Sequence, residues 1–332
     1  MSGDTADGTL HLDRAIPVPD SVSPEARAVM AAGCAMVATR LANPPAFPAL
    51  DDAEAWRARA AESDQLIVMG YGARADAVDA TVDTIAFGDV DVHRITPAGA
   101  DTSDGAPVLY DIHGGALIAG GGEACRAMAI GTAARTGLVT WAVDYRMPPD
   151  HPYPTPLDDC VAVYEELLTR VGATRLAVWG ASAGGNLAAA AMLRAGAAGL
   201  PMPACLLLIS PEVDLTESGD SFRTNEGVDY VLLNGLAASV ALYADGHDLT
   251  DPHLSPLFGD LTGFPPTFLQ SGTRDLFLSN TVRMHRRLRE AGVDAELHVW
   301  EAMPHGGFPG APEDAELTAE VRRFLSRHLA AS

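Results

Sequence analysis

Apolar and polar positions along the chain follow two alternating patterns, one typical of buried strands and the other typical of helices. Nearly continuous apolar runs, such as 138–143 and 205–209, are typical of strands buried on both faces of a sheet. They alternate with longer segments whose apolar residues recur at helical spacing. The predicted strands are 82–87, 90–96, 108–112, 138–143, 176–180, 204–209, 267–270 and 296–300, and the predicted helices among them are 123–136, 157–171, 186–195 and 279–291. This alternation predicts an α/β fold with a mostly parallel central sheet and helices on both faces.

Two regions depart from this alternation. Residues 1–24 show no regular pattern, and two helices follow over 25–41 and 51–59, separated by a proline-rich break. Residues 217–251 interrupt the alternation again, with a polar loop and then a helix over 236–243. A chain of 332 residues, 48% of them hydrophobic, is expected to form one α/β domain with a smaller addition instead of two equal domains.

The passage from a predicted strand to a predicted helix contains the candidate nucleophile, Ser182. It lies in Gly180-Ala181-Ser182-Ala183-Gly184, a G-x-S-x-G pattern. The two glycines allow the backbone to turn sharply without a side-chain clash. This placement is typical of a nucleophile elbow, in which the serine hydroxyl stands clear of the sheet.

Three other segments carry the groups that such a serine needs, each after a predicted strand. His113-Gly114-Gly115-Ala116 is the H-G-G type of loop whose backbone N–H groups point at an oxyanion. Asp275 follows a later strand, and His305 follows the last one. The order serine, aspartate, histidine is that of the α/β-hydrolase fold. We therefore predict a triad of Ser182, His305 as the base and Asp275 as the acid that orients it.

From about Pro107 to its end the chain resembles the hormone-sensitive-lipase-like branch of α/β-hydrolases, the bacterial family IV esterases. Besides the segments above, further motifs that carry the resemblance lie at 144–146, 149–152, 157–159 and 210–215. The resemblance implies an oxyanion hole formed by the N–H groups of Gly115, Ala116 and Ala183, with Gly114 shaping the loop. It also implies a helical cap made of residues 1–56 and about 217–251, with the catalytic domain over 57–332.

Two positions depart from the pattern of that family. The family loop usually reads H-G-G-G, and here Ala116 replaces its last glycine. Its N–H group is retained, provided that the backbone avoids a conformation open only to glycine. Family members usually carry aspartate before the serine, where this chain has Ala181. The hydrogen bonds of that aspartate are therefore expected to be missing behind the elbow.

Other residues compete for some of these roles. Asp260 and Asp294 are alternatives to Asp275 as the acid, and the position of Asp275 directly after a strand favours it. His113 is expected to support its loop by hydrogen bonding instead of taking part in chemistry. Glu212 is expected at most to form a hydrogen bond near the site.

The charge of the chain is strongly unbalanced. Its 22 basic residues are all arginine and stand against 44 acidic residues, for a formal net charge of −22. Such a charge repels nucleic acid phosphates and anionic lipid headgroups, so neither a nucleic acid nor a membrane is expected as a partner. The first residues lack a signal-peptide pattern, and no apolar run is long enough to span a membrane. A cytoplasmic location is therefore expected.

No cofactor and no metal are expected. The cysteines share no CxxC spacing, which predicts buried free thiols; they are Cys34, Cys125, Cys160 and Cys205. Histidine and aspartate side chains also cluster at 247–253, but their spacing matches no zinc or calcium frame. That segment is therefore predicted to be a polar turn.

The predicted function is that of a serine carboxylesterase that hydrolyses small to medium uncharged esters through an acyl-enzyme on Ser182. A lactone hydrolase with the same triad is an open alternative. A second alternative is a ligand-binding protein without activity, as in plant hormone receptors that resemble these esterases but have lost the histidine. The presence of all three triad residues argues against it. The resemblance also leaves open a homodimer paired through the last predicted strand.

Overall fold

The strands join in one sheet, in the order β1-β2-β4-β3-β5-β6-β7-β8. The computed structural model describes residues 13–42, 46–233 and 235–329. Residues 1–12 of the unpatterned N-terminal segment, and Pro44 and Pro45 of the proline-rich break, lie outside the described residues. The strands of the sheet are β1 (Ala80–Phe87), β2 (Val90–Pro97), β3 (Val108–Ile112), β4 (Val139–Asp144), β5 (Leu176–Ala181), β6 (Cys205–Ile209), β7 (Thr267–Gly272) and β8 (Ala295–Trp300).

The sheet is mostly parallel, as predicted. All pairings among the strands β3 to β8 are parallel. Only β2 runs against its neighbours, since it pairs antiparallel with both β1 and β4. Parallel strands place their carboxyl ends at one edge of the sheet, and loops that follow them meet there. The candidate residues predicted after β3, β5, β7 and β8 are therefore brought to the same edge.

Helices connect the strands and flank them. They are α1 (Pro24–Ala42), α2 (Ala53–Ala75), α3 (Glu123–Thr136), α4 (Thr155–Val171), α5 (Ala183–Ala197), α6 (Ser221–Thr224), α7 (Ala237–Ala244), α8 (Leu278–Glu290) and α9 (Pro312–His328). Most lie within a few residues of the predicted bounds. Three features differ: α2 is far longer than predicted, α6 lies in the predicted polar loop, and α9 had no prediction.

The length of α2 changes the organisation of the N-terminal region. The prediction of a short helix over 51–59 is wrong, because the helix continues to Ala75. It begins where the Asp52 side chain accepts a hydrogen bond from the N–H of Ala55, at 3.0 Å. Good helix formers dominate the next turns, and the helix tolerates Gly70 and Gly72. The boundary placed between residues 56 and 57 thus falls inside a continuous helix.

The hydrophobic core lies on both faces of the sheet. Neighbouring residues of a strand point to opposite faces. Accordingly Tyr110 belongs to the larger core cluster together with Leu187 of α5. Leu109 and Phe268 belong to a second cluster, with Phe324 of α9. This second cluster gives the physical reason for α9, since its apolar stripe covers a sheet face that would otherwise be open.

The N-terminal helices lie against the same edge of the sheet. Residues of α1 share a core cluster with Met303 and Phe308, which flank His305. A further core cluster contains Trp56 of α2, Ile118, which follows the predicted oxyanion loop, and Leu242 of the 217–251 insertion. In the part of the chain that the structure describes, no helix combines the length and the apolar character that crossing a bilayer requires.

One of the four cysteines departs from its predicted environment. Cys125, Cys160 and Cys205 are buried free thiols, but Cys34 is exposed. The reason is that the α1 residues in the core cluster, which include Ala26 and Met30, end at Met30, and Cys34 lies one turn beyond it. Helical spacing alone did not show which face of α1 would be covered.

Candidate active site

The candidate nucleophile lies at a sharp turn between β5 and α5. Ser182 has φ 56° and ψ −124°, a conformation that residues with a Cβ atom disfavour and that costs on the order of 1–3 kcal/mol. Its N–H donates to the carbonyl oxygen of Ile209 at 2.9 Å, and its own carbonyl accepts from the N–H of Glu212 at 3.2 Å. These backbone bonds tie the turn to the neighbouring strand and hold the strained residue in place.

The two glycines of the pentapeptide are required by close backbone approach. A Cβ atom on Gly180 would lie 2.4 Å from the carbonyl oxygen of Gly184. A Cβ atom on Gly184 would lie 2.0 Å from the carbonyl oxygen of Ile112, at the end of β3. Neither distance can be relieved by a side-chain rotation, because the obstructing atoms belong to the backbone. The sequence pattern thus reflects the tight packing of α5 on β5 and β3.

The three predicted triad residues lie in one hydrogen-bonded chain. The Nε2 atom of His305 is 2.9 Å from the Oγ atom of Ser182, although 123 positions separate them in sequence. The Nδ1 atom of His305 is 3.1 Å from the Oδ1 atom of Asp275. Both distances are within hydrogen-bonding range, with the histidine between the hydroxyl and the carboxylate. The geometry allows His305 to take the serine proton while Asp275 fixes the tautomer.

Asp275 is fully buried and strongly held. Its Oδ2 atom accepts a hydrogen bond from the Ser271 hydroxyl at 2.7 Å, and its Oδ1 atom accepts from the N–H of Phe277 at 2.9 Å. Burial acts to raise the pKa of Asp275, but the charge of His305 and hydrogen bonds from His305, Ser210 and the N–H of Phe277 outweigh it, so the pKa lies below its ordinary value. The group is therefore a carboxylate over the physiological range and can stabilise a positive charge on His305.

The pKa of His305 is determined by burial and by its pairing with Asp275. Burial acts to lower the pKa of His305, because a charged imidazole loses its hydration. The charge of Asp275 and the hydrogen bond to it outweigh burial and raise the pKa above the ordinary value of 6.5. The stronger base is better suited to accept the proton of Ser182.

This shift predicts the acid side of the pH profile. Since His305 must be neutral to act as a base, kcat/KM should fall as the pH drops through a pKa above 6.5. In Asp275→Asn the group that raises this pKa is lost, so the residual activity should fall at a lower pH than in the unchanged protein. The measurement is kcat/KM for an uncharged ester from about pH 5 to 9. An inflection that stays in place or moves to higher pH would contradict the coupling.

A second buried aspartate near His305 was missed by the sequence analysis. The Oδ2 atom of Asp229 accepts from the N–H of Leu276 at 2.9 Å and from the N–H of His305 at 3.3 Å. It thus joins the two loops that carry the acid and the base. Burial raises the pKa of Asp229. Asp229 lies within the 217–251 insertion, where no local pattern marked it.

The predicted oxyanion loop packs directly on the elbow. A Cβ atom on Gly114 would lie 3.1 Å from the Cβ atom of Ser182, so the loop approaches the serine closely. Within the part of the chain that the structure describes, the N–H groups of Gly115 and Ala116 have no acceptor. The N–H of Ala183 stands at the first position of α5, where a helix provides no partner. Three donors near the serine are thus available to a ligand.

Ala116 occupies an unusual backbone conformation. Its φ is 57°, in the left-handed region, which a residue with a Cβ atom occupies at a cost of about 1–2 kcal/mol. Gly115, with φ 140°, could not be replaced, because a Cβ atom there would lie 1.8 Å from the carbonyl oxygen of Ala119. The substitution of alanine for the usual glycine therefore strains the loop at residue 116 but leaves its N–H in place.

His113 lies behind the loop and forms the predicted hydrogen bond. Its Nδ1 atom is 2.8 Å from the carbonyl oxygen of Gly114. Its ring stacks on Tyr145, with centroids 4.1 Å apart, and the Tyr145 hydroxyl donates to the carbonyl oxygen of His113 at 2.9 Å. These contacts support the loop.

The remaining candidates have other environments. Asp260 and Asp294 are exposed, and neither forms a hydrogen bond or an ion pair with His305 among the described residues. Glu212 contacts the elbow region through its backbone, since its N–H donates to Ser182 and its carbonyl oxygen accepts from Asn186; its buried carboxyl group has no hydrogen-bond partner in the described chain. Burial raises the pKa of Glu212 well above its ordinary value, because the charged carboxylate loses its hydration.

The polar segment at 247–253 forms turns. The Asp248 side chain accepts from the N–H of Thr250 at 2.9 Å, and the Asp251 side chain accepts from the N–H of His253 at 2.8 Å. Short-range bonds of this kind stabilise turns. The aspartate side chains therefore accept hydrogen bonds from backbone N–H groups two residues later, as expected in a polar turn.

Comparisons with known proteins agree with this architecture. A model of the α/β hydrolase fold matches residues 109–309. An esterase of Acinetobacter venetianus is 35% identical over 199 residues, which cover 59% of this chain and 66% of the relative. Carboxylesterase NlhH of Mycobacterium tuberculosis is 32% identical over 239 residues, which cover 68% of this chain and 75% of the relative.

Solved structures are similar over nearly the whole chain. The crystal structure of esterase E25 has a TM-score of 0.89 at 36% identity and covers 97% of this chain and 99% of its own. An esterase from the bacterial hormone-sensitive lipase family has a TM-score of 0.77 at 30% identity and covers 93% of this chain and 99% of its own. The similarity thus includes both the sheet and the N-terminal helices.

Proposed function

This chain belongs to the α/β-hydrolase family as a carboxylic ester hydrolase of the hormone-sensitive-lipase-like branch, and we propose that it cleaves small to medium uncharged esters through an acyl-enzyme on Ser182. The observation that carries the proposal is the hydrogen-bonded chain from Ser182 through His305 to Asp275. A serine hydroxyl is a poor nucleophile unless a base takes its proton. In the described residues, Ser182 has such a base within 2.9 Å.

The proposed reaction has two halves. In the first, the Oγ atom of Ser182 attacks the ester carbonyl while the Nε2 atom of His305 takes its proton. The imidazolium, stabilised by Asp275, then gives that proton to the leaving alcohol, and the acyl group remains on Ser182. In the second half, His305 activates a water molecule that releases the acid and restores the serine.

Charge that develops on the ester oxygen would be stabilised by the backbone donors of Gly115, Ala116 and Ala183. Donors that are fixed before the reaction stabilise an oxyanion without reorganisation, and removing one costs about 100-fold to 1000-fold in kcat in comparable serine enzymes. The close packing of Gly114 on Ser182 supports this role, because it holds the loop beside the attacking hydroxyl.

Three segments are proposed to form the cap that bounds the substrate pocket. They are α1, the first part of α2 and the 217–251 insertion. A Cβ atom on Gly33 of α1 would lie 2.4 Å from the ring of Tyr230, so α1 contacts the insertion directly. The shared cluster of Trp56, Ile118 and Leu242 joins α2 and the insertion to the region after the oxyanion loop. A cap built from these segments would limit the space for the acyl chain and exclude water from the pocket.

An uncharged substrate fits the charge of the protein. The formal net charge of −22 disfavours approach of anionic esters. Aspartates are also prominent in a cavity of about 440 Å³ on the α2 side of the oxyanion loop, although neither the triad nor residues 113–116 line it; they are Asp64, Asp89, Asp91, Asp144 and Asp150. Neutral esters avoid this repulsion.

The proposal is tested by a substrate profile of the full chain. Nitrophenyl esters of acetate, butyrate, octanoate and palmitate, together with simple lactones, are compared by kcat/KM. We expect a maximum on the short acyl chains and a steep loss toward palmitate, since the cap limits the length of the pocket. A preference for palmitate would contradict the short-chain proposal. Faster turnover of lactones would favour the lactone hydrolase instead, and Ser182→Ala is the control for background hydrolysis.

A further inference from the structure

Three metal-binding side chains converge behind the oxyanion loop. They are His113 at the start of the loop, Cys125 on α3 and Asp144 at the end of β4, and one ligand atom from each lies within 4.8 Å of the others. From this geometry we propose a structural site for a divalent transition metal of the zinc type, which joins the oxyanion loop to α3 and β4. The site is separate from the Ser182, His305 and Asp275 chain and supplies no catalytic group.

The tautomer of His113 leaves a nitrogen free for a metal. Its Nδ1 atom is 2.8 Å from the carbonyl oxygen of Gly114, and a carbonyl only accepts, so Nδ1 carries the hydrogen. The Nε2 atom is therefore a lone-pair donor. It is buried and has no hydrogen-bond partner within the described residues, in a side chain that is only 3% exposed. Metal-bound histidines typically donate their other N–H to a carbonyl in this way.

Cys125 and Asp144 complete a set of ligands that zinc prefers. Zinc is bound by histidine nitrogen, cysteine sulfur and carboxylate oxygen. Cys125 is fully buried, and its Sγ atom has only a weak contact at 3.6 Å with the carbonyl oxygen of Val143. Asp144 accepts the N–H of Gly122 at 2.9 Å on one oxygen, which orients its carboxylate. On metal binding, the Cys125 thiol would release its proton to solvent and bind as the thiolate.

A second imidazole stands beside Asp144. The Nε2 atom of His93 is 3.8 Å from the Oδ2 atom of Asp144. It has no hydrogen-bond partner among the described residues, although His93 is only 7% exposed. The Nδ1 atom of His93 is 2.9 Å from the Thr84 hydroxyl, which holds the ring with Nε2 toward the carboxylate. When the Thr84 hydroxyl donates to Nδ1, the Nε2 atom of His93 carries a lone pair and lies at the edge of the site as a further donor to the metal.

An acidic cavity gives a cation access to the site. Asp144 lines the cavity of about 440 Å³, and its side chain is 19% exposed. Other carboxylates in that lining, including Asp64 and Asp91, attract cations toward it. The two arginines there are already paired, Arg57 with Asp150 and Arg146 with Asp159. A divalent ion can thus approach the Asp144 carboxylate, which is the one proposed ligand that lines the cavity, and the His113 nitrogen and Cys125 sulfur lie within 4.8 Å of it.

The site would stabilise the oxyanion loop from behind. His113 is covalently continuous with Gly114 and Gly115, and α3 and β4 are fixed parts of the fold. A metal ion that joins His113 to both would limit movement of the loop. No short sequence spacing marks the site, because its ligands come from three separate elements.

The test uses Co²⁺, which replaces Zn²⁺ in tetrahedral sites and gives a thiolate-to-cobalt charge-transfer band. Cys34 is exposed and could bind the probe unspecifically, so the full chain with Cys34→Ser is the reference protein. After treatment with a chelator, we expect it to bind one equivalent of Co²⁺ and to develop the thiolate band. Adding Cys125→Ser should abolish the band, and adding Cys205→Ser, a matched buried cysteine, should leave it unchanged.

A second measurement does not depend on the spectrum. Zn²⁺ should raise the melting temperature of the chelator-treated reference protein, since an ion that binds only the folded state stabilises it. Asp144→Asn should reduce that shift by weakening the site. A reference protein that binds no Co²⁺ or shows no thiolate band overturns the proposal, even if Cys125→Ser fails to fold. A band that persists without Cys125 overturns it as well. Neither measurement depends on esterase activity.

Discussion

Ser182→Ala is expected to abolish ester hydrolysis, with a loss in kcat of about a millionfold as in comparable triad knockouts. The substitution removes the attacking atom, so His305 and the oxyanion donors have no nucleophile to assist. His305→Ala should cause a loss of similar size. Residues that act together in one reaction step have non-additive effects on kcat, so removing either one removes most of the rate enhancement. The measurement is kcat on a nitrophenyl ester of a short acid, with far-UV circular dichroism to show that the fold is retained.

The controls use the strained backbone of the same residue. Ser182→Gly also removes the hydroxyl, but glycine adopts a φ of 56° without the steric strain that alanine has in this conformation. We expect the glycine variant to be equally inactive and to have a free energy of unfolding about 1 kcal/mol higher than the alanine variant. Ser326→Ala, on the exposed face of α9, should leave activity unchanged. More than about a hundredth of the original activity in Ser182→Ala would refute the nucleophile assignment.

Asp275→Asn is expected to lower kcat by up to about ten-thousandfold while preserving the shape of the side chain. The amide carries no charge to stabilise the imidazolium. It also favours the tautomer of His305 that presents the wrong nitrogen to Ser182. Because Asp275 accepts hydrogen bonds from Ser271 and Phe277, the variant should lose stability as well, and kcat must be measured below its melting temperature. Steady-state kinetics and thermal unfolding separate the two effects.

Three other aspartates provide matched controls for this substitution. Asp260→Asn and Asp294→Asn should be nearly silent, since both residues are exposed and neither forms a hydrogen bond or an ion pair with His305 among the described residues. Asp229→Asn should have an intermediate effect, because Asp229 accepts from the backbone N–H of His305 and not from its ring. An inactive Asp260→Asn or Asp294→Asn protein together with an active Asp275→Asn protein would show that the acid was assigned wrongly.

The predicted fold class and family are confirmed, and both followed from local signals. The nearly continuous apolar run before Ser182 predicted β5 because a strand covered by helices on both faces must be apolar throughout. The glycines on either side of Ser182 indicated the sharp turn, since only glycine tolerates the backbone contacts at 180 and 184. The roles of Ser182, Asp275 and His305 stay predictions, although the parallel sheet explains why residues after separate strands lie together.

Features that depend on packing between distant segments of the chain were not predictable from local sequence patterns. Helical spacing in α1 did not reveal that Cys34 would be exposed, because the covered stripe is decided by Met303 and Phe308 far along the chain. The extent of α2 was missed for a related reason, since its end at Ala75 packs against α3 residues such as Ala129 and Ala133, which lie far along the chain. Asp229 lies beside His305 only because the 217–251 insertion folds back over the loop that carries the histidine.

The sequence by itself determined the strands of the sheet, most of the helices, their order and the residue types at the ends of the parallel strands. These depend on periodicity, turn chemistry and backbone sterics, which act over a few neighbouring residues. Only the tertiary structure decided the left-handed backbone of Ala116, the unpaired burial of Glu212 and the convergence of His113, Cys125 and Asp144. Burial, electrostatic coupling and close approach depend on distances between atoms that the chain brings together from separate elements, and no pattern within one element records them.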